Sequence, residues 1–170
     1  MLYLLDANVL ITAHNLYYPL HRVPEFWSWL RYQGAAGKIK MPRETYDEVK
    51  AGGTDEEKDR LYAWAKESQT KSALLLDEDA APEIVARVIN EGYAPDLRDD
   101  EIEELGNDPF LIAYALADAA DRCVVTTEVS KPARIRQNRH IPDVCADLGA
   151  RCCNTFELLA ALEFTTDWKP

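Results

Sequence analysis

The chain has 170 residues, a net charge of −11, 47% hydrophobic residues and 29% charged residues. Those values fit one globular domain over residues 1–170, large enough for a substantial core. They argue against a protein that coats nucleic acid through its overall charge, and no apolar run is long enough to form a membrane-spanning helix. The opening "MLYLLD" carries no basic leader and no cleavage-like segment follows, so a cytoplasmic location is expected.

Residues 1–5 read as a buried strand, because they form an unbroken apolar run. Asp6-Ala7-Asn8 has the chemistry of a helix N-cap, and a short helix is expected through Asn15 until Tyr17-Tyr18-Pro19 breaks it. A second helix starts near Pro24 and ends around Gly34–Gly37. It carries Phe26, Trp27, Trp29 and Leu30, a wide apolar stripe expected either to pack in the core or to form a dimer or docking surface. Lys38–Met41 alternates as a short strand does, and Pro42 opens a helix to about Ala51. Thr54 and Glu57 form a capping-box pattern for a helix over about 55–68. "ALLL" at 73–76 suits another strand, 80–91 a helix, and the acidic run 96–105 an exposed loop with a helical turn.

Asp108-Pro109 begins the strongest helical pattern, "PFLIAYALADAAD". "CVVTT" at 123–127 is the clearest central strand, apolar and β-branched. A basic loop (131–140), a helix near 142–148, the short strand "RCC" and a last helix near 156–163 complete the chain. Strands alternating with helices predict an α/β fold with a mainly parallel central sheet flanked by helices. Cys123, Cys145, Cys152 and Cys153 show neither Cys-x-x-Cys spacing nor nearby paired histidines, so reduced thiols are expected rather than a zinc site. His14, His21 and His140 are scattered and lack the context of a catalytic triad.

Charges placed between apolar elements need a reason, since a buried carboxylate is costly unless a donor, a basic group or a cation meets it. Asp6 and Glu128 end expected strands, where parallel α/β sheets build their sites. Glu48 and Asp108 lie on expected helices. Each has a plain alternative: Asp6 and Asp108 as helix caps, Glu48 as a solvated helix acid, Glu128 as a loop acid. If the four converge, they form an oxygen-rich pocket suited to Mg²⁺ or Mn²⁺. The segment "KPARIRQNRH" follows Glu128 and supplies Lys131, Arg134, Arg136 and Arg139 as a local basic strip for phosphates.

"LLDANVLI", "TYDEVK", "NDPFLIAYALA" and "CVVTTE" together resemble the motifs of the PIN domain, the nuclease fold of VapC-type bacterial toxins. "HIPDVCADLGARCCNTFELL" is similar to the tail of a PIN-like branch with an Ile-Pro-x-x-Cys signature. The resemblance covers essentially the whole chain. It implies a PIN-like α/β domain and a metal-dependent ribonuclease, the toxin of a toxin–antitoxin pair. It also implies an RNA substrate, a cognate antitoxin and a homodimer. It implies that Asp6, Glu48, Asp108 and Glu128 hold Mg²⁺ or Mn²⁺, with Asn8 orienting the first acid or a metal water. The fourth acid of the motif is commonly Asp, so Asp143 in "IPDVC" is an alternative to Glu128. Two other readings are a phosphatase with Asp6 as nucleophile, disfavoured because position 8 is Asn rather than Asp, and a degenerate PIN-like module that binds RNA or a partner without cleavage.

Overall fold

The computed structural model describes residues 1–51 and 59–169. Four parallel strands form one sheet in the order β2-β1-β3-β4: β1 (Leu2–Leu5), β2 (Ile39–Lys40), β3 (Arg122–Val125) and β4 (Arg151–Cys153). The register pairs Tyr3 with Ile39, Leu5 with Val125, and Val125 with Cys153. Helices cover both faces, so the fold is α/β, as the alternation of elements predicts. Side chains of a strand alternate between faces. Leu5 and Val125 accordingly enter one core, while Leu4 and Val124 enter the other. That double burial explains why both strands read as unbroken apolar runs. Truncating Leu4, fully buried, to alanine would cost about 2–5 kcal/mol.

The chain leaves β1 into α1 (Ala7–Thr12), which continues as a π-helical turn over Ala13–Tyr17. Next come α2 (Pro24–Ala35), α3 (Arg43–Ala51), α4 (Arg60–Lys66) and α5 (Ser68–Leu74). α6 (Pro82–Arg87) runs into a second π-helical turn, Val88–Tyr93, followed by α7 (Asp99–Glu104) and α8 (Asp108–Leu116). After β3 come a 3₁₀ turn (Arg136–Asn138), α9 (Ile141–Leu148) and, beyond β4, α10 (Thr155–Ala161). Among the described residues no helix is long and apolar enough to cross a membrane. The four cysteines are free thiols.

Several local expectations are corrected. "ALLL" does not form a strand: Ala73 and Leu74 finish α5, and only Leu75 reaches an isolated bridge to Met41. The expected helix behind Asp108 stops at Leu116, because residues 117–121 turn back sharply to start β3. The acidic run is not simply an exposed loop. It forms α7, and Glu101 is 5% exposed because Arg136 reaches it. Of the two readings of the aromatic stripe of α2, core packing holds: Phe26, Trp27, Trp29 and Leu30 are each at most 2% exposed. The reason is a second aromatic layer, with Trp64 against Trp27 and Phe164 against Phe26 and Trp29. Tyr32, near the end of the helix, stays 45% exposed. The Thr54–Glu57 capping pattern lies outside the described residues; within them, α4 is capped by Asp59, which accepts from the Tyr62 amide at 3.0 Å.

Candidate metal centre

A strand order of 2-1-3-4 places the switch of direction between β1 and β3. Sites of parallel α/β sheets form beyond the carboxyl ends of the strands at that switch. Asp6 and Thr126 directly follow the paired residues Leu5 and Val125 there. The Asp6 amide donates to the Val125 carbonyl at 2.9 Å, carrying the ladder one step past the sheet. Asp6 is 3% exposed and accepts from the Thr126 hydroxyl at 2.8 Å and from the Asn8 amide at 3.3 Å. It therefore caps α1 and faces the site with the same carboxylate. Burial pushes its pKa up, the Thr126 and Asn8 hydrogen bonds oppose that, and the charge of Glu128 pushes it further up.

Asp108 is the most strongly perturbed acid of this cluster. Its pKa is pushed up to about 8, by burial first and then by Asp6, Glu128 and Glu48. It does not cap α8: Asn107 holds the cap position and Asp108 is the first helical residue. The Asn107 side chain points elsewhere, donating to Glu48 Oε1 at 2.7 Å. That hydrogen bond stitches α3 to the start of α8. It favours the charged form of Glu48 against burial and the charge of Asp6, which raise its pKa. Gly106 makes the turn that delivers Asn107 and Asp108, with φ +56°, a left-handed conformation that costs a residue with a Cβ but not glycine. Of the other acids on α3, Asp47 pairs with Lys50 at 2.6 Å.

Glu128 is held by two elements. Its amide donates to the Thr126 hydroxyl at 3.1 Å, and its Oε2 accepts from the Ile141 amide at 2.7 Å, at the start of α9. His140 Nδ1 lies 4.0 Å from the same oxygen. Asp143, the alternative fourth acid, is engaged by the loop that follows Glu128. It accepts from Ser130 Oγ at 2.5 Å and from the Lys131 amide at 2.8 Å, fixing the loop behind Glu128. Tyr93 completes the wall. It is 6% exposed, its hydroxyl has no hydrogen-bond partner among the described residues, and the charges of Asp108 and Glu128 add to burial in raising its pKa.

Asp6, Glu48, Asp108 and Glu128 thus share one electrostatic neighbourhood. Among the described residues no lysine or arginine pairs with any of them, and no group of three or more His, Cys, Asp or Glu side chains is placed to hold a metal ion. The donor set still fits a hard divalent cation. All the donors are carboxylate oxygens, their mutual repulsion is unrelieved, and Mg²⁺ takes only one or two carboxylates beside water and phosphate. Thr126, Asn107 and Tyr93 are the participants not singled out from the sequence. Thr126 and Asn107 lie inside "CVVTTE" and "NDPF", where only the acids draw attention.

The basic strip divides in two. Arg136 sits at φ 55° and donates to Glu101 at 2.9 and 3.1 Å and to Asp96 at 2.7 Å. Arg139 donates to the Gly92 carbonyl and to Asp147, both at 2.5 Å. Both are structural clamps. Lys131 and Arg134 are exposed and form no ion pair among the described residues. No curated protein and no solved structure matches the chain. A family model described as "Domain of unknown function (DUF4411)" matches residues 3–166, and the chain belongs to that family.

Proposed function

We propose that this chain is a metal-dependent ribonuclease with a PIN-like domain, acting as the toxin of a bacterial toxin–antitoxin pair in the cytoplasm. The observation that carries the reading is the convergence of Asp6, Glu48, Asp108 and Glu128 at the sheet's switch point without a basic counter-charge. Burial and mutual repulsion raise the pKa of Asp6, Glu48 and Asp108, and a divalent cation would relieve that repulsion.

Asp6, Glu48 and Asp108 would hold Mg²⁺ or Mn²⁺, and Glu128 would help to hold it or orient the attacking water. When bound, the ion lowers the pKa of water and offsets charge on the phosphoryl oxygens. The chain's own residues prepare that site. Thr126 fixes Asp6, and Asn107 fixes Glu48. The Ile141 amide fixes Glu128 so that its second oxygen is left for water. Lys131 and Arg134 stand two and five residues beyond Val129, where RNA phosphates would meet positive charge.

The test is cleavage of total bacterial RNA with Mn²⁺ by wild type and by Asp108→Asn. Wild type cleaves and the folded variant does not. Equal cleavage by both would remove Asp108 from the site. One observation favours a second reading, a module that binds RNA or a protein partner without cutting: among the described residues no three acids are placed together to hold a metal ion. Full toxicity of an Asp6→Asn variant in cells would favour it.

A further inference from the structure

α1 leads from Asp6 toward a second polar site of opposite charge. Asn8, exposed beside Asp6, and Thr12 are four residues apart and share one face of α1, and Asn15 follows on the π-helical turn. There His14, Asn15, Pro19, His21, Arg22 and Arg60 line an open cavity of about 430 Å³. His14 follows Asp6 by eight residues, about 12 Å along a helix. Pro19 opens the turn that holds His21 and Arg22, its carbonyl accepting from the Arg22 and Val23 amides at 2.8 and 2.9 Å. His14 Nδ1 accepts from the Leu20 amide at 3.4 Å, and its ring meets Trp27 edge to face at 6.1 Å. With Nδ1 accepting, the proton of the neutral ring sits on Nε2, which is left as a donor.

The charges here are positive in a chain of 30 acids and 19 lysines and arginines. Arg22 and Arg60 are exposed and form no ion pair among the described residues. The groups that act electrostatically on His14 are Asp59, His21 and Arg60. Asp59 is engaged at the cap of α4, accepting from the Tyr62 amide at 3.0 Å. Two unpaired guanidiniums with imidazole donors beside them match the oxygens of a phosphate, which a guanidinium grips through two parallel hydrogen bonds. The occupant follows from what flanks the acidic cluster. The cluster stands between two groups of unpaired cations, Arg22 and Arg60 reached along α1 and Lys131 and Arg134 reached from β3. One free anion would engage a single group. A polymer with a phosphate at every residue engages both while one of its phosphates lies at the cluster.

We propose that the cavity of His14, His21, Arg22 and Arg60 holds a backbone phosphate of the RNA strand whose scissile phosphate lies at the acidic cluster. Arg22 and Arg60 supply the charge, and the two imidazoles supply further donors. This rests on the ribonuclease reading and deepens it, placing substrate contacts on the α1 side of the cut as well as on the β3 side.

The experiment measures fluorescence-anisotropy affinity for short oligouridylate across a range of salt, in the Asp108→Asn background so that the strands stay intact. Combining Arg22→Gln with Arg60→Gln weakens binding about ten-fold and lowers the slope of log K against log salt by about 0.7, the value of one phosphate on a single strand. Arg22→Lys with Arg60→Lys keeps the slope, because the charge remains. Both positions are exposed, so unchanged unfolding midpoints separate lost binding from lost fold. Unchanged affinity and slope in the glutamine variant, with wild type still cleaving RNA, overturns the cavity alone. A wild type that neither cleaves nor binds RNA overturns the ribonuclease reading with it. Inorganic phosphate that raises the unfolding midpoint of wild type but not of the glutamine variant, while RNA binding is the same in both, assigns the cavity to a free phosphate and overturns the RNA occupant. Polyglutamate that displaces the oligouridylate as well as polyphosphate of equal charge does would assign it to an acidic protein segment instead.

Discussion

The Thr126 hydroxyl donates to Asp6 Oδ2 at 2.8 Å, joining residues 120 positions apart at the ends of β1 and β3. Thr126 Oγ1 in turn accepts from the Glu128 amide at 3.1 Å. One side chain therefore sets the spacing between two acids of the cluster. Thr126→Val keeps the shape and removes both hydrogen bonds. The expected result is a loss of about 1–3 kcal/mol in denaturant unfolding. Mn²⁺ affinity by calorimetry should fall roughly 10–100-fold, the usual effect of losing a group that orients a ligand. Unchanged Mn²⁺ affinity would leave Thr126 a structural residue only.

The repulsion within the cluster gives stability an unusual pH dependence. Asp108 titrates near 3.9 when unfolded and at about 8 when folded. A raised folded pKa means that the native state binds more protons between those values. Stability then falls as pH rises from about 4 to 8, with an upper bound on the order of 5 kcal/mol. Asp6 and Glu48, also raised, add in the same direction. Urea unfolding in EDTA at pH 5, 6.5 and 8 should show this decline in wild type and a much flatter profile in Asp108→Asn. Stability that rises across that range in wild type would refute the convergence of the acids.

Much of this arrangement is legible in the chain. β1 and β3 announce themselves because both faces of each are buried, and Asp6 and Asp108 stand out as charges beside apolar runs. Less legible is whatever depends on a distant partner. Arg134 and Arg136 look alike in sequence, and nothing local reveals that Arg136 meets Asp96 and Glu101, 40 and 35 residues away. The face of α2 is ambiguous for the same reason, since Trp64 and Phe164 complete its burial from other segments. "ALLL" misleads because a short apolar run suits a buried helix end as well as a strand.

That division of the basic strip is itself testable. Arg136→Ala removes the guanidinium that holds Glu101 at a pKa of about 2. It should lower the unfolding midpoint and leave the salt dependence of RNA binding intact. The stabilisation from Glu101 is present above its unfolded pKa and is lost as pH falls toward about 2. Arg134→Ala should do the reverse, sparing stability and reducing the salt slope by about one. A stability loss in Arg134→Ala, or a slope change in Arg136→Ala, would reverse the assignment.

Metal addition should separate charge relief from ligation. In wild type at pH 8, Mn²⁺ at about 100 times its Kd adds about 2.7 kcal/mol, because it binds only the folded chain. For a domain of this size that raises Tm by about 5–10 °C. Asp108→Asn relieves the same repulsion by removing a charge, so without metal its Tm at pH 8 exceeds that of wild type. Adding Mn²⁺ should then move the variant little, having lost a ligand oxygen's charge. On the proposed ribonuclease reading the two effects should have opposite consequences for cleavage, the metal enabling it and the substitution abolishing it. A variant that gains as much from Mn²⁺ as wild type does would place the ion away from Asp108. A wild type that gains nothing would leave the carboxylates without the cation that their mutual repulsion calls for.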